Sequence, residues 1–163
     1  MSKSYNISSY VALLALSISA IGCAAGGGGN GGGTAFVRMD MGISTAQDFQ
    51  EQTNDLLRRM SFRVFRQDQV PVPLIESEWR NQTPTADEQA LGVTEFQCRI
   101  IVRGRERNPM GGQRVFQFSY TMETQVKTVD SPDWTEMGVT PERRVYANEI
   151  GRELRTMLEM ARR

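Results

Sequence analysis

Apolar and polar residues alternate along two long stretches in the second half of the chain, residues 94–103 and 114–126. Alternation of this kind is typical of strands with one buried and one solvated face. Residues 105–113 between them are rich in Gly, Asn and Pro, which is typical of a turn. We therefore predict an antiparallel hairpin. Its buried face is predicted to carry Phe96, Cys98, Ile100, Val102, Phe116, Phe118, Tyr120, Met122, Thr124 and Val126.

Two stretches repeat their apolar residues at helical spacing. The first runs from Thr45 to about Met60, and Ser44-Thr-Ala-Gln47 at its start has the form of a capping box. The second begins at Pro141, directly after Thr140, and continues to the end of the chain. A hydroxyl residue followed by proline is typical of a helix N-terminus. Both stretches are predicted to be amphipathic helices.

Three shorter stretches are predicted to be strands. Residues 34–41 alternate weakly, and Gly42 is expected to end that strand. A second strand begins at Phe62, and a third covers residues 74–80. The element order is then β-α-β-β-β-β-α. This order predicts an α+β fold of two layers, with two helices on one face of an antiparallel sheet of about four to five strands, similar to a helix-grip domain.

Two tryptophans fall near the ends of predicted elements. Alternation in the third strand places Trp79 on the same face as Ile75 and Ser77. The polar residues 81–92 are predicted to be a loop, and Trp134 lies in another loop before the last helix. Packing at the rim of the core is the ordinary role of such residues. Large aromatic side chains also anchor protein partners.

The N-terminus has the features of an export signal. Residues 11–21 are apolar, which is too short for a membrane span of about 20 residues and typical of a cleaved signal peptide. Ala20-Ile21-Gly22-Cys23 resembles a bacterial lipobox, where the signal is cut and the new N-terminal cysteine is acylated. The resemblance implies a membrane anchor at Cys23. A plain signal peptide with an incidental cysteine is the alternative.

Residues 24–33 are mostly glycine and are predicted to be a flexible tether with an r.m.s. reach of about 17 Å. The predicted organisation is a lipoprotein signal peptide over residues 1–22, a lipidated cysteine with its tether over 23–33, and a single α+β domain over 34–163. Ala24 follows the cysteine. By resemblance to enterobacterial sorting rules, a residue other than Asp at that position favours the periplasmic face of the outer membrane.

The amino-acid composition limits the kinds of binding and catalysis that the protein can perform. The chain has 19 basic and 19 acidic residues, so no basic excess points to nucleic acid. It has no histidine, which excludes Ser-His and Cys-His nucleophile pairs and histidine-ligated zinc. Cys98 would have no intrachain partner if Cys23 is acylated, and we predict a buried, inert thiol. No metal or cofactor is predicted.

Paired carboxylates are the remaining candidates for acid–base catalysis. Asp133 and Glu136 lie in one loop, and Glu76 and Glu78 are two residues apart in one strand. Solvated surface charges explain both pairs more simply. We therefore predict that the protein is not an enzyme.

The sheet face opposite the helices is the candidate interaction surface. Arg99 and Arg103 flank Ile101 on that face of the predicted hairpin. A solvated face is the ordinary interpretation. Because the helices leave this face free, we also consider it, together with Trp79 and Trp134, as a surface for a protein partner.

The middle of the chain resembles a known family. A helix ending in Leu56-Leu57-Arg-Arg-Met60 leads into Phe62-Arg-Val-Phe-Arg-Gln-Asp68 and a strand ending in Ile75-Glu-Ser-Glu-Trp79. This run, followed by a hairpin and a closing helix, resembles the helix-grip domain of the NlpB/BamC lipoproteins of the β-barrel assembly machinery. The resemblance covers residues 45–160 as a pattern and is most specific over residues 56–80.

These features predict a membrane-anchored, non-enzymatic bacterial lipoprotein that binds another protein of the cell envelope. The lipobox and the α+β order are also similar to those of the lipopolysaccharide-assembly lipoprotein that plugs an outer-membrane barrel. The alternative is a module that holds an apolar ligand between helix and sheet. Its pocket would lie near Phe116, Phe118, Tyr120 and Met122.

Overall fold

The computed structural model describes residues 34–162, so Cys23, the tether and the signal sequence lie outside the described residues. Within this range the chain forms seven strands and three helices. The strands are β1 Phe36–Ser44, β2 Val64–Asp68, β3 Leu74–Ser77, β4 Arg80–Gln82, β5 Val93–Glu106, β6 Phe116–Thr128 and β7 Ser131–Thr135. The helices are α1 Ala46–Arg59, α2 Ala86–Ala90 and α3 Pro141–Ala161.

All seven strands belong to one antiparallel sheet. Its order is β1-β6-β5-β3-β2, with β4 added to β5 and β7 added to β6. The predicted hairpin is the centre of the sheet, since β5 and β6 pair from Val93 opposite Thr128 to Glu106 opposite Phe116. The α+β class is confirmed. The predicted four to five strands were too few.

One face of the sheet packs against α1 and α3. The alternating residues predicted for the buried side of the hairpin are buried, and all of them except Thr124 form one cluster with the apolar residues of both helices. The ring of Phe49 on α1 stacks on the ring of Phe118 with centroids 4.0 Å apart. Because both faces of this contact are fully buried, it fixes α1 against the central strand.

Both predicted long helices are confirmed, but the first is capped differently. Thr45 is the N-cap of α1, and its hydroxyl accepts a hydrogen bond from the amide of Asp48 at 3.1 Å. Ser44, the predicted cap, is the buried last residue of β1. Thr140 caps α3 as predicted, accepting from the amide of Arg143 at 3.3 Å.

Gly42 does not end the first strand. The register against β6 shifts between Asp40 and Gly42, and β1 then continues to Ser44. Gly42 has a φ of 82°, in the left-handed region that glycine adopts without steric cost. The glycine therefore forms a β-bulge inside the strand, an alternative that its sequence position does not distinguish from a break.

A second irregularity of strand register changes the sheet face on which Trp79 lies. Glu76 lies opposite Ile101 on β5, whereas Arg80 lies opposite Cys98, so the β3–β4 side has one more residue than β5 in this interval. The extra residue reverses the alternation after Ser77. Trp79 consequently lies on the face opposite to Ser77, and the predicted common face for these residues was wrong.

Two elements replace predicted loops. The polar stretch 81–92 contains α2, which begins with a reciprocal capping box between Thr85 and Glu88. The segment with Trp134 contains β7, which pairs with the end of β6 through Val126 opposite Thr135. Both elements are only five residues long. They are stabilised by neighbours from other parts of the chain more than by their own periodicity.

Candidate functional site

The candidate surface is the face of the sheet opposite α1 and α3, called the outer face below. Strand register joins its residues into rows, for example Arg38 beside Thr121 and Thr121 beside Ile101. The face presents mostly polar and charged side chains. Its residues are Phe36, Arg38, Asp40, Glu76, Glu95, Gln97, Arg99, Ile101, Arg103, Arg105, Gln117, Ser119, Thr121, Glu123, Gln125 and Lys127.

Arg99 has more charged and aromatic partners than any other cation on the outer face. Its Nε lies 2.8 Å from Oε2 of Glu123, and its Nη1 lies 2.5 Å from Oε1 of Glu76. Its guanidinium carbon lies 4.7 Å from the centre of the Trp79 ring. Two carboxylates and one aromatic face therefore compensate this half-buried cation.

A second aromatic–cation pair lies further along the same face. Lys127 Nζ lies 4.8 Å from the centre of the Trp134 ring and 3.0 Å from Oε1 of Glu95. Trp134, predicted to lie in a loop, is thus part of β7 beside the sheet. With Trp79 reversed by the bulge, all five residues predicted for an interaction surface lie on the outer face.

A shallow pocket of about 190 Å³ lies next to Arg99 on the outer face, at the end away from Lys127. Arg38 and Arg103 border it, and Ile101, Ser119 and Thr121 form its floor, with Glu123 at one side. Both arginines are exposed. Among the ion pairs formed within residues 34–162, none includes either of them.

The most buried ion pair of the described chain was not predicted. Arg143 on α3 meets Glu88 on α2 through two parallel contacts, Nε to Oε1 at 3.1 Å and Nη2 to Oε2 at 2.8 Å. Their side chains are 6% and 1% exposed. The guanidinium carbon also lies 3.8 Å from the centre of the Phe96 ring. This is a fully buried, bidentate pair stacked on an aromatic ring.

The remaining hydrogen-bonding groups of that pair are also occupied. Arg143 donates to Oε1 of Gln82 at 2.6 Å and to the carbonyl of Thr83 at 3.2 Å. Glu88 accepts from the amide of Thr85 at 2.8 Å through the capping box. The pair therefore has partners at both oxygens of Glu88 and at all three guanidinium nitrogens of Arg143. It joins α2, β4 and α3 as a structural cluster.

The sequence did contain a signal for this cluster. Arg143 precedes Ala147 by four residues and Ile150 by seven, so helical spacing puts it on the buried face of α3. Thr85 and Glu88 have capping-box spacing. A charged residue on a buried helix face needs a partner, but its identity depends on the tertiary fold.

Cys98 lies next to this cluster and is buried, as predicted. Burial raises the pKa of its thiol from 9.0 to about 12, against the opposing influence of Arg143 and Arg80. The thiol is therefore protonated and a poor nucleophile at neutral pH.

The interior position considered for an apolar ligand is filled by side chains. Phe116, Phe118, Tyr120 and Met122 are each at most 2% exposed. Burial raises the pKa of Tyr120 well above its ordinary value of 10.0. The pockets described for residues 34–162 are lined by other side chains, so this region lends the ligand-binding alternative no support.

A larger groove of about 800 Å³ lies between α1 and β2. It is open to solvent. Its apolar lining of Leu57, Phe62 and Val64 is interrupted by charges of both signs, including Asp55 and Arg63. Nothing in the groove favours a particular ligand.

The carboxylates considered for catalysis are exposed or ion-paired. Asp133 and Glu136 are exposed, and Glu76 is held by Arg99. Within the described range, no group of three or more Cys, Asp or Glu side chains has an arrangement that could hold a metal ion. Across residues 34–162, none of the three helices combines the length and the hydropathy that a membrane span requires.

Comparisons with known proteins add no family. No family model matches the chain, and no curated protein matches it in sequence. The resemblance to the NlpB/BamC domain thus depends on the residues quoted for it, chiefly residues 56–80.

Proposed function

We propose that this protein is a non-enzymatic bacterial lipoprotein, anchored through acylated Cys23, that binds another protein of the cell envelope with its outer face. The periplasmic face of the outer membrane is the proposed location. The described domain is proposed to be of helix-grip type, with α1 and α3 packed on one side of the sheet. The other side is then free for the partner.

The observation that carries the proposal is the composition of the outer face. It combines Trp79 and Trp134, each stacked on a cation, with Ile101 and exposed arginines on adjacent strands. Tryptophan and arginine are the residues most enriched among those that contribute binding energy at protein interfaces. A purely solvating sheet face has no need of two tryptophans.

Anchoring explains how such a surface would work. Each buried methylene of an acyl chain contributes about 0.8 kcal/mol, and two or more chains hold a protein stably on a membrane. The tether, with its r.m.s. reach of about 17 Å, would keep the domain close to the membrane surface. Confinement raises the effective concentration of a partner in the same membrane, so a modest interface suffices.

The first part of the test concerns the anchor. Mass spectrometry of the mature protein should find Cys23 at the N-terminus with acyl chains attached. Membrane association should be lost in a Cys23→Ala variant. An unmodified Cys23, or a wild-type protein found only in the soluble fraction, would refute the anchoring mechanism.

The second part concerns the surface. A photo-crosslinking amino acid is placed at Phe36, which is 43% exposed on the outer face, and at Val145, which is 57% exposed on α3. In native membranes the full chain should form a discrete protein adduct from position 36 and not from position 145. Absence of an adduct at 36, or equal adducts at both positions, would contradict the proposed surface.

A further inference from the structure

The charges of the outer face divide into two groups. At one end Arg99 and Lys127 each have at least one carboxylate within 3.0 Å. At the other end Arg38 and Arg103 border the shallow pocket, and neither forms an ion pair among residues 34–162. This end of the face therefore has exposed cations without an ion-pair partner among the described residues, and Arg105, opposite Gln117, is a third one outside the pocket.

The acidic residues nearest to this place are already engaged. Glu123 accepts a hydrogen bond from Arg99. Asp40 accepts from the amide of Gly42 at 2.8 Å and from the side-chain amide of Gln117. The charge of Glu123 is thus compensated by Arg99, and the Asp40 carboxylate is hydrogen-bonded to two neutral amides. Neither carboxylate forms an ion pair with Arg38 or Arg103, so both guanidinium groups are available to an external anion.

The floor of the pocket suits a carboxylate on a peptide. Thr121 supplies a hydroxyl, Ser119 a second one, and Ile101 an apolar surface for a side-chain methylene. A volume of about 190 Å³ is the size of a side chain and is small for a drug-sized molecule. Arginine matches carboxylates with paired, charge-assisted hydrogen bonds.

We propose that the pocket between Arg38 and Arg103 binds an Asp or Glu side chain of an extended acidic segment of the partner protein. This inference rests on the proposed function and specifies the chemistry of the partner. Charge complementarity is the reason for choosing an acidic segment. The neighbouring residues along the segment would lie across Ile101 towards Trp79.

The test uses the full chain, purified in detergent, with the photo-crosslinker at Phe36. The probe is a short biotinylated peptide of alternating Thr and Glu, and the matched probe has Gln in place of each Glu. The acidic peptide should crosslink and the Gln peptide should crosslink about tenfold less or worse. Raising the salt concentration should weaken the acidic peptide's crosslinking.

Variants that replace arginines by glutamine show which arginines the crosslinking to the acidic peptide requires. Arg38→Gln combined with Arg103→Gln should reduce crosslinking to the acidic peptide by about tenfold or more. The matched control is Arg144→Gln with Arg152→Gln, which removes two exposed arginines from α3. Equal losses in both double variants, or none in either, would overturn the inference. Circular dichroism verifies that both variants are folded.

Two further outcomes distinguish failure of the acidic-segment inference from failure of the proposed function. If vesicles of phosphatidylglycerol and phosphatidylcholine require Arg38 and Arg103 while the acidic peptide does not, the pocket is a lipid-headgroup site and the inference is overturned. If the adduct formed from position 36 in native membranes persists in the double Gln variant, the acidic-segment inference fails while the proposed function survives. Absence of that adduct in the wild type refutes both.

Discussion

The arginines on the two sides of the sheet differ in burial and in pairing. On the core side Arg143 is nearly inaccessible, and it is held by both oxygens of Glu88 and by the ring of Phe96. On the outer side Arg38 and Arg103 are exposed and border a pocket without forming an ion pair among the described residues.

The comparison shows why charge alone does not identify a functional site. A buried charge is tolerated only when its partners are supplied by the fold, so a fully paired cluster such as that of Arg143 has little capacity left for a ligand. An exposed, uncompensated charge costs little in the free protein. It keeps its hydrogen-bonding capacity for an external partner.

Breaking the buried pair should have the largest effect. Glu88→Ala or Arg143→Ala leaves a buried charge without its partner, and we expect a loss of about 3–5 kcal/mol in the free energy of unfolding. Replacing both by apolar residues, as in Arg143→Met with Glu88→Leu, should cost less than the sum of the single changes. Urea unfolding monitored by tryptophan fluorescence measures both.

The control for the buried pair is an exposed one. Arg155 and Glu159 lie 3.0 Å apart on α3, with more than half of each side chain exposed. Arg155→Ala should cost less than about 0.5 kcal/mol. Single changes at Arg143 and Arg155 with equal effects would mean that burial does not distinguish the two pairs.

Packing on the core side should give the next effect. A Cβ added at Gly104 would lie 2.8 Å from Cε1 of Phe118 and 3.1 Å from Cδ of Pro73, so Gly104→Ala should lower stability by about 1–3 kcal/mol. Gly151→Ala meets mainly the flexible thioether of Met39, at 3.0 Å, and also gains helix propensity. Thermal unfolding should therefore rank Gly104→Ala clearly below Gly151→Ala.

The pH dependence of the free energy of unfolding should report the burial of the Cys98 thiol on the core side. Burial raises the pKa of its thiol from 9.0 to about 12, so above pH 9 the unfolded chain loses a proton that the folded chain keeps. Stability conferred by the protonated thiol should therefore be complete below pH 9 and fall as the pH rises towards 12. Between about pH 9 and pH 10.5, wild type should lose about 1–2 kcal/mol more than Cys98→Ala.

Denaturant titrations at several pH values measure this difference in slope. Parallel curves for the two proteins would show that the thiol titrates alike in both states. Modification by a thiol reagent at neutral pH provides an independent check, because it should require unfolding.

Changes on the outer face should have the smallest effects on stability. Arg38→Gln with Arg103→Gln should alter the free energy of unfolding by less than about 0.5 kcal/mol. Arg99→Gln removes a half-buried cation from between Glu76 and Glu123 and should cost about 1 kcal/mol. A double Gln variant that is as destabilised as Arg99→Gln would mean that its arginines are structural.

Much of the fold could be predicted because strong periodicity records burial. The alternation in β5 and β6 and the helical spacing in α1 and α3 extend over many residues, so each pattern identifies both the element and its buried face. The buried Cys98 followed from the alternation of β5, and the N-cap Thr140 followed from the hydroxyl residue before Pro141. Short elements such as α2 and β7 have too few residues for a pattern to emerge.

Shifts of strand register by a single residue could not be predicted from the sequence either. One extra residue between Ser77 and Arg80 reversed the face of Trp79, and a bulge carried β1 past Gly42. A bulge changes the side of every later residue, but it leaves the local composition unchanged. The five candidate residues of the surface lie on one face, and their role in binding stays a prediction.

The sequence by itself determined the α+β class, the central hairpin and the two amphipathic helices, because burial along an element imposes a period that can be read locally. It also carries the lipobox prediction at Cys23. Only the tertiary structure decided which charges are compensated. Arg143, Arg99 and Arg103 have the same side chain. The roles of Arg143 and Arg99 follow from carboxylate partners that lie 23 to 55 residues away, and that of Arg103 follows from the lack of an ion-pair partner among residues 34–162.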